Sequence, residues 1–236
     1  CHPMAHGETM SGTLHGVGVG PGDPELMTVK AWRLISGAEV IAYLCANGSE
    51  SMALEIARPF LPDKFETIAI DMPMRVEREP AMAAYDAGAA RIAATLAEGK
   101  EVVFLCEGDP FFYGSFMYLY DRLHRSHKTV VVPGITSITA IAAELGQPLG
   151  ERDEVLKVLP ATMSAEQLIA ELKTAQSAAI IKVGRHFTKV KAVLAELGLS
   201  ATAVSHATTD RQTIAQVDEI AEDALPYFTT IMVRRK

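Results

Sequence analysis

With 236 residues, 49% of them apolar and 22% charged, the chain is long enough for one large or two small globular domains with a real core. A net charge of −7 argues against a general binder of phosphate backbones, which needs clustered Lys and Arg, and no apolar run reaches the length of a membrane span. Three cysteines without a C-x-x-C pair, Cys1, Cys45 and Cys106, point to reduced thiols in a cytoplasmic protein, with Cys45 and Cys106 as small residues at the ends of apolar runs.

Residues 1–12 are polar, lack a signal-peptide apolar region and read as a loose extension, with Met10 as an alternative start. Residues 13–19 form a short strand candidate that ends in glycines, and Met27, Leu34, Ile35 and Ala38 then recur at helical spacing. The runs at 39–44 and 65–70 predict the second and third strands. Tyr85, Ala89, Ile92 and Leu96 make one stripe of an amphipathic helix that stops before Gly99. The nearly all-apolar run at 101–106 predicts a central strand covered on both faces. Phe112, Phe116, Leu119 and Leu123 give another helical stripe, and 129–132 another short buried strand. This alternation predicts an α/β fold whose first domain, 13–134, holds a mainly parallel, doubly wound sheet. Gly146, Pro148 and Gly150 mark an irregular connection. Strand candidates at 154–159, 178–183, 201–205 and 229–233 follow. Helical patterns run through Leu168 and Leu172, and through Phe187, Val190, Leu194 and Leu197. They predict a second α/β domain, 135–236, with a mixed sheet.

Three loops carry the chemistry. The run Gly-Val-Gly-Val-Gly-Pro-Gly-Asp-Pro at 16–24 lies between a strand and a helix, with Asp23 as cap and Pro24 in the first turn. It superficially matches the dinucleotide pattern G-x-G-x-x-G. Pro21 breaks that turn, however, and no Asp or Glu closes the second strand. A tight strand–helix turn accounts for the run equally well. The second loop, Glu-Gly-Asp-Pro-Phe-Phe-Tyr-Gly-Ser at 107–115, follows the best buried strand, at the edge where open α/β sheets bind ligands. Gly108 there admits a ligand to the backbone, and Asp109 with Pro110 starts the next helix. Asp109 is then either that helix's cap or a holder of the polar part of a cofactor. In the third loop, Val-Pro-Gly-Ile-Thr-Ser at 132–137, Thr136 or Ser137 is a helix cap or a hydrogen-bond partner for an amino acid moiety.

Taken together and in this order, Gly-Pro-Gly-Asp-Pro at 20–24, Gly-Asp-Pro at 108–110 and Pro-Gly-Ile-Thr-Ser at 133–137 resemble the tetrapyrrole methylase family, the S-adenosylmethionine-dependent enzymes of sirohaem and cobalamin synthesis. The resemblance runs from about residue 13 to residue 236. Stretches at 105–118, 181–185 and 225–233 are similar to the branch that methylates precorrin-2 at C20. The resemblance implies two α/β domains with S-adenosylmethionine, released as S-adenosylhomocysteine, folded in the cleft between them. It also implies a tetrapyrrole substrate and a homodimer. Carried over by motif position, the cofactor touches Pro21, the backbone of Glu107, Gly108 and Asp109, Phe112, and Thr136 with Ser137, and from the second domain Val183, Ala207, and Thr230 with its neighbours. One departure matters: uroporphyrinogen methylases carry Asp-Arg-Leu after the second strand, where this chain reads Ala-Tyr-Leu-Cys-Ala at 42–46. That turns the expectation away from uroporphyrinogen. Competing readings are a cobalt-factor II C20-methyltransferase or another precorrin methylase, an RNA-modifying methyltransferase of related fold, and a non-catalytic nucleotide-binding module. The acidic balance counts against the RNA reading.

A proton must leave the methylated carbon, and the sequence singles out no base. Tyr43, Tyr113, Glu107 and His186 are candidates, each as readily a packed tyrosine, a solvated carboxylate or a helix-start residue. Lys182, Arg185, His186 and Lys189 cluster at the end of a second-domain strand and suit the carboxylates of a tetrapyrrole. Arg75 and Arg78 fall in a polar stretch, 71–79, suited to a lid. Solvated surface is the competing explanation for both groups. His2 with His6, and His124 with His127, have ligand-like spacing but no third partner, so no metal is expected.

Overall fold

In the computed structural model, residues 11–46, 48–73 and 78–235 are described, the side chain of Arg78 excepted. Cys1, His2, His6, Met10 and Arg75 lie outside them. The chain divides into two compact units, Cys1–Ile135 and Thr136–Lys236.

The amino-terminal unit is built on five strands, β1 (Leu14–Gly18), β2 (Val40–Ala46), β3 (Glu66–Met72), β4 (Val102–Cys106) and β5 (Thr129–Val132). They lie in the order β3-β2-β4-β1-β5, and every pair is parallel. Successive side chains of a strand face opposite ways. Val102, Phe104 and Cys106 therefore pack with α3 (Arg78–Ala97) and α4 (Phe116–Leu123), while Val103 and Leu105 pack with α1 (Val29–Ser36) and α2 (Met52–Ala57). The expected doubly wound parallel sheet is borne out, with β4 central and wholly buried. The stripe Tyr85, Ala89, Ile92 and Leu96 forms the buried face of α3. Strand β5 is at the sheet edge and only Val132 in it is fully buried, where a buried strand was expected.

Two helix starts differ from expectation. Asp23 caps only a single 3-10 turn, Pro24–Leu26, through its carboxylate and the Glu25 N–H. Helix α1 begins only at Val29, under a separate cap from Thr28 to the Ala31 N–H. Phe112, placed on a helical stripe by spacing, precedes α4. The stripe consists of Phe116, Leu119 and Leu123.

In the carboxyl-terminal unit, α5 (Ser137–Glu144), β6 (Leu156–Pro160), α6 (Ala165–Lys173), β7 (Ser177–Ile181), α7 (Phe187–Glu196), β8 (Ala201–Ser205), β9 (Thr213–Gln216) and β10 (Thr229–Arg234) follow in turn. The sheet order is β6-β7-β10-β8-β9, with β6 and β7 parallel and the other pairs antiparallel, so the expected mixed sheet is present. Leu168 and Leu172 of α6 and Phe187, Val190 and Leu194 of α7 enter one core with β7 and β10. Ser164 and Gln167 close a capping box at the start of α6. Arg234 braces the irregular connection: its guanidinium donates to the Pro148 carbonyl and pairs with Glu154 at 3.0 Å and Glu151 at 3.3 Å.

Candidate functional site

Because β1, β4 and β5 are parallel neighbours, the three glycine-bearing loops that leave their carboxyl ends emerge at one sheet edge. They meet backbone to backbone. Gly20 and Gly108 exchange N–H···O bonds of 3.3 and 2.8 Å. A Cβ built on Gly18 would lie 2.5 Å from the Gly108 carbonyl oxygen, and one on Gly134 would lie 2.0 Å from that same oxygen. Only glycine permits such an approach. Gly108 was expected to open the backbone to a ligand. Its amide and carbonyl are instead turned on Gly20, and its left-handed φ of 61° serves the crossing.

Asp109 fastens the same crossing. One carboxylate oxygen accepts the N–H groups of Phe111 and Phe112 at 2.9 and 3.0 Å, and the other accepts the Gly134 N–H at 3.0 Å. The bonds to Phe111 and Phe112 are those a helix cap makes, yet no helix follows them, contrary to the helix-start expectation. Helix α4 begins at Phe116, with Ser115 at the cap position making no side-chain cap bond. With its loop held this way, Phe111 and Tyr113 are exposed and Phe112 is half-buried, its ring edge-on to Tyr113 at 5.3 Å. Tyr113 stands at φ 52°, a strained conformation for a bulky residue.

Glu107 is exposed as a residue, yet the protein packed around its carboxyl raises it above its ordinary value, burial being the first cause. The N–H groups of Glu107 itself and of Ala53, in the first turn of α2, oppose that rise. Pro21 is half-buried on the first loop. Tyr43 is half-buried within β2, on the α1 and α2 face of the sheet.

In the carboxyl-terminal unit the ends of β7 and β8 and the start of β10 share one edge, since β10 runs antiparallel to both. Lys182, His206 and Thr208 stand there at φ 58°, 48° and 63°. Three non-glycine residues in the left-handed region at one edge is the pattern of strain held at a working site. Val183 follows Lys182, Ala207 lies between the other two, and Thr230 is the second residue of β10. All three side chains are buried, so what they offer a ligand is backbone. The run expected to be strand to residue 183 ends at Ile181, which frees 182–183 for the turn. Thr136 caps α5 through the Thr139 N–H. The half-buried Ser137 hydroxyl has no partner among the described residues.

The expected cationic cluster is narrower than its sequence. Lys182 and Arg185 are exposed, with no ion pair among the described residues. Lys189 instead donates its ammonium to the Met163 carbonyl. His186 is pushed below the ordinary histidine range by burial first, then by Lys189 and Arg185. Arg78 opens α3, and Arg75 lies outside the described residues. His124 donates Nδ1 to the Tyr120 carbonyl at 2.7 Å and stacks on that ring at 4.4 Å. Among the described residues no group of three His, Cys, Asp or Glu could hold a metal ion, and no helix is long and apolar enough to cross a membrane.

Sequence reasoning missed the backbone role of the Gly18–Gly108–Gly134 contact and the exposure of Tyr227 and Phe228 ahead of β10. The second had a signal, two adjacent aromatics after Pro226.

Residues 13–221 match the family model described as Tetrapyrrole (Corrin/Porphyrin) Methylases. Over 234 residues the chain is 41% identical to the Mycobacterium tuberculosis protein described as Cobalamin biosynthesis protein CobIJ, covering 94% of this chain and 46% of that one. It thus spans about half the length of that relative. It is 37% identical over 232 residues to a Precorrin-2 C(20)-methyltransferase of Sinorhizobium sp, covering 94% of this chain and 95% of that protein. The fold matches the crystal structure of a uroporphyrin-III C-methyltransferase from Thermus thermophilus complexed with S-adenosylhomocysteine. The TM-score is 0.65 at 22% identity, over 94% of this chain and 97% of the other.

Proposed function

The chain belongs to the tetrapyrrole (corrin/porphyrin) methylases, and on that premise we propose that it transfers a methyl group from S-adenosylmethionine to C20 of precorrin-2 in cobalamin biosynthesis. The observation that carries the reading is the 37% identity to a Precorrin-2 C(20)-methyltransferase along 95% of that protein.

Bound S-adenosylmethionine supplies an already activated methyl on a sulfonium, so orientation and exclusion of water are what the protein must add. Holding the partners in line is worth roughly 7–11 kcal/mol. The residues present suit that ligand. In the amino-terminal unit, Pro21 and the Phe112 ring are apolar surfaces for a base, and the Glu107 carboxyl is a partner for ribose hydroxyls. Gly108 and Asp109 hold the loops that carry them. The carboxyl-terminal unit offers the Ser137 hydroxyl, the Thr136 cap and backbone at Val183, Ala207 and Thr230 for the amino acid part. Lys182 and Arg185 are assigned to substrate carboxylates, and Arg78 is kept as a third such contact. Tyr43, Tyr113 and His186 remain the candidates for the departing proton. Tyr113, exposed on the Asp109-held loop, is favoured over Tyr43, which packs on a helix-covered sheet face.

Calorimetry with S-adenosylhomocysteine and with NAD tests the cofactor: binding of NAD alone would sink the reading. Incubation with precorrin-2 and, separately, with cobalt-factor II, followed by NMR location of the new methyl, tests the position and the need for cobalt. A homodimer and a cytoplasmic setting complete the proposal, and sedimentation velocity checks the first.

A further inference from the structure

We infer that Tyr227 and Phe228 form a docking shelf for the ring face of the tetrapyrrole, with Lys182 and Arg185 beside them for its carboxylate rim; the inference rests on the tetrapyrrole reading above. The two aromatics are 60% and 38% exposed and stand edge to face, 5.2 Å apart. Contiguous exposed aromatics on a soluble domain mark a contact surface.

Their backbone is tied down on both sides. The Thr188 hydroxyl donates to the Asp223 carbonyl at 2.7 Å, the Leu225 N–H donates to the Gly184 carbonyl at 3.2 Å, and the His206 N–H donates to the Phe228 carbonyl at 2.9 Å. Leu225 also packs its side chain against the core of the unit. The rings therefore project from a fixed segment, and less ordering remains to oppose binding.

The tie at Gly184 also sets the neighbours. A Cβ built on Gly184 would lie 3.8 Å from the Tyr227 Cα, so the aromatic segment runs directly over the turn that carries Lys182 and Arg185. Lys182 is held at φ 58° and exposed; Arg185 is exposed. Cations alone would take any polyanion, and rings alone any apolar face. The two side by side match a conjugated macrocycle edged with carboxylates.

Titration of the full chain with uroporphyrin III, a stable carboxylate-rimmed tetrapyrrole, followed by its Soret band, reads the shelf. Calorimetry with S-adenosylhomocysteine on the same samples reads the cofactor separately. Tyr227→Ala and Phe228→Ala should each weaken porphyrin binding by roughly three- to tenfold. Arg185→Ala should weaken it and reduce its salt dependence, while Tyr227→Phe should keep wild-type affinity. S-adenosylhomocysteine affinity should stay unchanged in all four. Thermal melts check folding; if Phe228→Ala melts early, Phe228→Leu keeps the bulk without the ring and should still lose affinity. Wild-type porphyrin affinity in both alanine variants, or no porphyrin binding by the wild-type chain, overturns the shelf. Failure of the wild-type chain to bind S-adenosylhomocysteine counts against the methyltransferase reading instead.

Discussion

The Asp109 carboxylate accepts the Gly134 N–H at 3.0 Å, joining two loops whose residues are 25 apart in sequence. Its other oxygen is filled by two amides of its own loop. Every acceptor is directed at backbone, so this aspartate acts by positioning Phe112 and the 133–136 loop.

Asp109→Asn follows directly from that geometry. An amide retains one oxygen and turns an NH2 toward an N–H donor, leaving at least one amide unsatisfied. We expect a loss of about 1–3 kcal/mol in urea unfolding, with weaker S-adenosylhomocysteine binding through the displaced loops. An Asn variant equal to wild type in both measurements would remove the positioning role.

Gly134→Ala should cost about 3 kcal/mol or more, because its Cβ would meet the Gly108 carbonyl oxygen at 2.0 Å and backbone cannot give as a side chain can. Gly198→Ala is the control. It has φ 61° but open space around it, so only the left-handed penalty of about 1 kcal/mol applies. Similar costs at the two sites, by denaturant midpoint, would contradict the crossing.

Glu107 gives a pH dependence with a definite sign. Burial raises its carboxyl, so the folded chain holds that proton more tightly than the unfolded chain does. The associated stability is fully present below the ordinary carboxylate pKa and is lost as pH rises through the folded value. Glu107→Gln carries no charge at any pH. The Tm of the variant minus that of wild type should therefore become more positive between acid and neutral pH. A difference that stays flat or falls would show that the carboxyl is fully solvated.

Arg185→Ala should raise KM for the tetrapyrrole and leave cofactor affinity intact. The same variant should move the His186 titration upward only part of the way, since burial, the larger cause of its depressed pKa, remains. Steady-state kinetics and imidazole NMR read the two effects, and unchanged kinetics would take Arg185 out of the site.

Much of the fold was legible because its signals are local. The Tyr85, Ala89, Ile92 and Leu96 stripe and the apolar run of β4 needed only periodicity. Helix α2 was not legible: six residues are under two turns, too few for a stripe. Strand β9 was not either, being a four-residue edge with no fully buried position. Asp109 was misplaced for the opposite reason. Asp-Pro is a strong local helix-start signal, and Asp109 does accept the Phe111 and Phe112 N–H groups as a cap would, but no helix follows until Phe116.

The sequence by itself determined the family, the alternation of strands and helices in both halves, and the three loops that matter. Tertiary structure decided what the glycines in those loops are for. Parallel strands bring their carboxyl ends to one edge, and there Gly18, Gly108 and Gly134 come within backbone contact. Spacing along a chain cannot reveal that approach, because it depends on which strands become neighbours.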